Sequence, residues 1–148
     1  GRSIPSLIAA SLYVACRETN TPRTLDDIAE AGNVERKFLS RDIRTIIKTL
    51  DLNLKQYDIT SFVTRLSNDL AITEKTKRDA FDILKKSEEK RISAGKNPVA
   101  HAAASLYLSC LINNEKLSQR RFSEISGISS VTIRNRVDSI RKTLNLKY

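Results

Sequence analysis

The feature that most constrains this chain is that it repeats itself. The string "AASLYVAC" at 9–16 returns as "AASLYLSC" at 103–110, 94 positions later. The same offset carries Gly1 to Gly95, Asn20 to Asn114, Glu30 to Glu124, and "KTLDL" at 48–52 to "KTLNL" at 142–146. About a quarter of the aligned positions are identical, with no gap in the alignment. Helical patterning alone reproduces apolar spacing, but not two separate strings in one register. The chain is a duplication.

Each repeat reads as three helices. The first, Ile4–Cys16 or Pro98–Ile112, is apolar nearly all round, so it is expected to be buried all round as the hub of its unit. Asn97-Pro98 supplies a cap and a first-turn proline. The second helix is short, Thr24–Ala31 or Ser118–Ser126, opened by Thr24 and Ser118 as N-caps. The third runs from about Arg36 to Leu50, with Leu39, Ile43, Ile46 and Leu50 as its buried stripe. In the second repeat that stripe is Ile133, Val137, Ile140 and Leu144.

Residues 55–94 read as two more helices, one with the stripe Phe62, Val63, Leu66 and Leu70, the other capped by Thr73 and burying Ala80, Ile83 and Leu84. A hub covered by four helices makes a five-helix unit. The expected architecture is therefore all-α: a partial first repeat over 1–54, lacking its two N-terminal helices, and a complete second repeat over 55–148. The first hub should then be bare on one side, which favours self-association. A chain that begins at Gly1 and holds no Met reads as part of a longer protein.

The formal net charge of +9 points to a polyanionic partner. No apolar run reaches the roughly 18–20 residues that cross a membrane, and no signal-peptide pattern opens the sequence, so no membrane partner is expected. The two cysteines, Cys16 and Cys110, lie alone in the two hub helices and are expected buried, reduced and apart. The single histidine, His101, has no Cys or carboxylate at ligand spacing and reads as a packed residue, with no metal or cofactor. There is no glycine-rich phosphate loop, nucleophile elbow or apolar carboxylate pair, so an enzyme is the least favoured class.

The favoured chemistry lies on the second and third helices of the second repeat. Helix, turn at Gly127, then helix is the helix-turn-helix pattern, whose second helix lies in the DNA major groove. On a helical wheel Val131, Asn135, Asp138 and Lys142 fall opposite the buried stripe, with Arg134 on its flank. Val131 and the Thr132 methyl can meet a thymine methyl, and Arg134 can reach guanine O6 and N7. The ordinary alternative is a solvated face with one exposed valine, which by itself needs no explanation. In the first repeat the matching positions are Lys37, Arg41, Arg44 and Lys48, which suit phosphates or an acidic protein surface better than base edges.

"GRSIPSLIAASLYVACR" with "TPRTLDDIAE", and "GKNPVAHAAASLYLSC" with "LSQRRFSEISGISSVTIRNR", resemble the C-terminal core of the archaeal transcription factor B family, the counterpart of eukaryotic general transcription factor IIB. The resemblance covers the whole chain and implies two cyclin-like repeats. It implies binding to TATA-binding protein on promoter DNA, reading of an upstream recognition element, and RNA polymerase as a partner of the full-length protein. By position, Val131, Thr132 and Arg134 would contact bases of that element, with Asn135 on the same face and Gln119 and Arg121 on the supporting helix. Gly1 and Arg2 match a loop near DNA downstream of the TATA box, and Arg17, Arg36, Lys37 and Arg41 match a basic surface toward the acidic TATA-binding protein. The family's zinc ribbon is not in this sequence, so no zinc is implied. Phe38, where family members often carry a basic or small residue, is an outward aromatic that the resemblance does not account for. The implied location is cytoplasmic, at the archaeal nucleoid, or nuclear in a eukaryote. Two alternatives remain: a cyclin-like protein-binding module without DNA binding, whose face would be apolar, and a sigma-like helix-turn-helix factor, which would not repeat its hub.

Overall fold

The computed structural model describes residues 3–148, so Gly1 and Arg2 lie outside the described residues. Among these there are eight helices and no strand: α1 Ile4–Glu18, α2 Leu25–Ala31, α3 Arg36–Thr49, α4 Ile59–Asp69, α5 Glu74–Glu89, α6 Pro98–Ile112, α7 Gln119–Ser126 and α8 Ser130–Leu144. They form two compact units, Gly1–Tyr57 and Asp58–Tyr148.

The duplication extends to the backbone. The starts of α1, α2 and α3 recur 94 positions later as the starts of α6, α7 and α8. Left-handed residues close the helices at matching places: Asn20 (φ 53°) and Asn114 (φ 56°), Asn33 (φ 47°) and Gly127 (φ 69°), Asp51 (φ 49°) and Asn145 (φ 51°). Asn, Asp and Gly tolerate this region best, so short polar residues and glycine end the helices at these matching places.

In the second unit every residue from Val99 to Cys110 is buried, as expected of a hub. The run is rich in alanine (Ala100, Ala102, Ala103 and Ala104), and small side chains let α4, α5, α7 and α8 all approach one helix axis. Ser109 donates to the Thr76 carbonyl at 2.7 Å, which satisfies one polar group of the α5–α6 seam. Both cysteines are free and buried, and burial pushes the Cys110 thiol up to about 12.

In the first unit, among the described residues, α2 and α3 are the only helices that pack on α1. The core is Ala9, Ala10, Tyr13, Val14, Cys16, Ile28, Leu39 and Ile43. Ile4, Ile8 and Leu12, one turn apart, are 73%, 64% and 51% exposed. α1 is thus bare on one side, as expected of a first hub with half the covering helices that α6 has, and unlike α6 it is not buried all round. Leu50 departs from the expected stripe as well: it is the C-cap of α3 and is 63% exposed, because the chain turns at Asp51. Ile46 and Ile47 fill that end of the core, and Leu144 in the second unit is only half-buried.

Two left-handed positions, Ala71 and Arg91, carry neither a short polar residue nor glycine. Ala71 follows α4 at φ 52° and is exposed. A Cβ in this region costs roughly 1–2 kcal/mol, and this one buries nothing in return. Ala71→Gly is expected to stabilise the second unit by about 1 kcal/mol, read as a raised urea midpoint at unchanged slope. A lowered midpoint would show that the methyl matters.

Candidate nucleic-acid interface

The α7–α8 corner is built by hydroxyls. Ser118 caps α7 by accepting from the Arg121 amide at 3.1 Å. Gly127 reverses the chain at φ 69°, its amide donating to the Ser123 carbonyl at 3.0 Å. Ser126 braces the turn: its hydroxyl donates to the Phe122 carbonyl at 2.6 Å and accepts from the Ile128 amide at 3.2 Å. Ser129 caps α8, accepting from the Thr132 amide at 3.2 Å and sharing a hydrogen bond with the Thr132 hydroxyl at 2.8 Å. Behind the corner Phe122 is fully buried, edge-on to Tyr107 with ring centroids 5.1 Å apart.

With Ile133, Val137 and Ile140 buried, α8 has one orientation only, and it turns Val131, Thr132, Arg134, Asn135 and Lys142 outward. Val131 is 60% exposed. Arg134 Nη2 donates to Gln119 Oε1 at 3.3 Å, so the amide at the start of α7 steers the guanidinium on α8. Arg121 is exposed, whereas Arg120 is paired with Glu124 at 2.9 Å. Asp138 pairs with Arg141 at 3.8 Å. Gln119 and Arg134 thus meet across the corner, Val131, Thr132 and Asn135 are exposed on α8 beside Arg134, and Arg121 stands exposed on α7.

The four cations expected on the first unit do not form one equivalent free set. Arg36 makes a two-pronged bond to Asp26 at 2.7 and 2.8 Å. Arg41 Nε pairs with the buried Asp42 at 3.1 Å. Arg17 donates to the Lys55 carbonyl at 2.5 Å and lies 3.9 Å from the Tyr57 ring centroid. Tyr57 in turn shares a hydrogen bond with the Tyr13 hydroxyl, and burial, then that bond, pushes its own hydroxyl up to about 12. Arg17 is the clasp that fastens residues 52–57 to the first hub. Of Arg17, Arg36, Lys37 and Arg41, Lys37 alone is exposed with no ion pair among the described residues. The clasp had no signal in the sequence, since Tyr13 and Tyr57 lie 44 positions apart on different segments.

The pattern described as "Transcription factor TFIIB repeat" matches residues 1–49 and 52–143. The chain belongs to the TFIIB-repeat family. Its two units are the cyclin-like repeats of that family, three helices in the first and five in the second among the described residues. It is 39% identical over 147 residues to transcription initiation factor IIB of Sulfurisphaera tokodaii, covering 99% of this chain and 48% of the relative. It is 38% identical to transcription initiation factor IIB 1 of Thermococcus kodakarensis, with 99% and 50% covered. Identity to transcription initiation factor IIB of Archaeoglobus fulgidus is 37%, with 99% and 45% covered. The chain spans about half the length of these curated relatives. No helix of the described residues is long and apolar enough to cross a membrane.

Behind this TFIIB-repeat corner His101 is fully buried in α6, and neither ring nitrogen has a hydrogen-bond partner. Burial, then the Arg136 charge from α8, lowers its pKa from 6.5 to about 4. The ring is neutral in the folded protein, while the unfolded chain takes up a proton below about pH 6.5. Stability is therefore expected to fall as pH drops from about 6.5 toward 4, by at most about 3 kcal/mol. His101→Leu, which installs the residue of the matching position Leu7, should flatten this acid limb in denaturant titrations across pH. An unchanged limb would assign it to other groups.

Proposed function

We propose that this chain is the promoter-binding core of a general transcription initiation factor. It engages TATA-binding protein on promoter DNA and reads an upstream element through α7 and α8. The observation that carries the reading is the outward pair Val131 and Arg134 on a helix whose other face is locked in the core. The names of the relatives, each a transcription initiation factor IIB, support the same role.

Each side chain then has a chemical task. Val131 and the Thr132 methyl pack on thymine methyls, Arg134 bridges guanine O6 and N7, and the Asn135 amide suits adenine N6 and N7. Gln119 orients Arg134, and Arg121, beside the α7 N-terminus, suits a phosphate. Gly1 and Arg2, outside the described residues, are assigned to DNA downstream of the TATA box. Lys37, Arg36 and Arg41 face an acidic surface of TATA-binding protein, and Arg17 serves that face by holding the linker. RNA polymerase is a partner of the longer protein.

A gel shift on TATA-containing DNA, with and without TATA-binding protein, tests the assembly. Within it, Arg134→Ala is expected to cost ~1–3 kcal/mol on the preferred upstream element and to relax discrimination there. Arg41→Ala should weaken assembly about equally on every upstream sequence. A uniform loss for Arg134→Ala across upstream sequences would refute base reading.

The Ile4–Ile8–Leu12 ridge supports a second property, self-association of the isolated chain through its first unit. Sedimentation over a concentration series is expected to show growth in mass that Ile8→Lys abolishes. A monomer at every concentration would exclude it.

A further inference from the structure

The exposed face of α3 carries, among its cations, an aromatic ring that the proposed function leaves unused. Lys37, Arg41, Arg44 and Lys48 follow one another four, three and four residues apart, a row about 16 Å long at the helical rise of 1.5 Å per residue. All four are exposed. Beside the first two stands Phe38, an aromatic ring 41% exposed to water. The matching residues on α8 are Val131, Thr132, Asn135, Asp138 and Lys142, so the first repeat holds a ring where the second holds a threonine, and gains three cations.

The ring is braced rather than loose. The Arg41 guanidinium lies 5.2 Å from its centroid, and Arg41 Nε is held by Asp42 Oδ1 at 3.1 Å. Asp42 is fully buried, and its other oxygen accepts from the buried Ser6 hydroxyl of α1 at 2.6 Å. A chain of four residues thus runs from the hub to the surface and ends on Phe38. Rigid aromatic side chains bordered by charge are what binding hot spots are made of, because little entropy is lost when they dock.

We infer that Phe38 is the apolar anchor of a docking face for an acidic protein surface, with Lys37, Arg44 and Lys48 meeting its carboxylates. The inference rests on the reading of α3 as a partner-binding face and adds the residue that gives that face specificity beyond charge. Charge complementarity sets the partner's sign. The ring decides for protein over nucleic acid: a phosphate backbone offers it no apolar surface, and Arg41 already occupies a ring face on which a base would stack. An acidic protein surface with an aliphatic or aromatic side chain among its carboxylates satisfies both features.

The test uses the chain with TATA-binding protein on TATA-containing DNA, over a salt series, with binding to the same DNA alone measured in parallel. Phe38→Ala is expected to weaken the three-component assembly roughly tenfold or more at every salt concentration, and to leave binding to DNA alone unchanged. Phe38→Leu should recover most of the loss, and matched thermal unfolding should confirm that the first unit stays folded. Lys37→Gln with Lys48→Gln should weaken assembly mainly at low salt, where exposed charges are least screened. Normal assembly of Phe38→Ala would overturn the anchor while leaving the proposed function standing. An equal loss for Phe38→Ala on DNA alone would reassign the face to nucleic acid. No assembly by the unaltered chain would remove the proposed function and this inference together.

Discussion

Everything in the second unit depends on the burial of one helix. Residues 99–110 are all out of water, and burial at about 25 cal/mol per Å² of apolar surface is the largest favourable term available to a small helical unit. Alanine at four of the first seven positions of α6 matters more than hydrophobicity, since a hub lined with larger residues could not accept four neighbours at close range. The orientation of α8 follows from this packing. With Ile133, Val137 and Ile140 committed to the hub, the opposite residues have nowhere to point but outward.

The first unit has a related hub, sharing "AASLY", at its centre and a different outcome. With only α2 and α3 against it, α1 keeps an apolar ridge in water, and the unit compensates locally. The Ser6–Asp42–Arg41 chain ties α1 to α3, and the Arg17–Tyr57–Tyr13 clasp folds the following segment back onto the hub. Among these ties, the charge-assisted bond from Arg41 pairs an Asp42 carboxylate that is fully buried. They also withdraw Arg17 and Arg41 from any purely electrostatic role.

Divergence between the repeats is plain on exposed helix faces. Hubs, caps and left-handed turn residues hold their register across the offset, whereas Val131 against Lys37 and Thr132 against Phe38 change chemistry altogether. Core positions answer to shape, which duplication preserves. Exposed positions answer only to a partner, and two faces of one protein need not meet the same one.

The sequence by itself determined the helices, their caps, the duplication and the outward set on α8, because each follows from spacing along one helix or from a residue's own backbone preference. Thr24, Ser118, Thr73 and Asn97 cap where their chemistry says they should. Only the tertiary structure decided that Leu50 lies past the end of its stripe, that His101 is sealed without a partner, and that Arg17 and Arg36 each bond to another segment of the chain. Those outcomes depend on which side chain of another element arrives alongside, and spacing along one helix does not encode that.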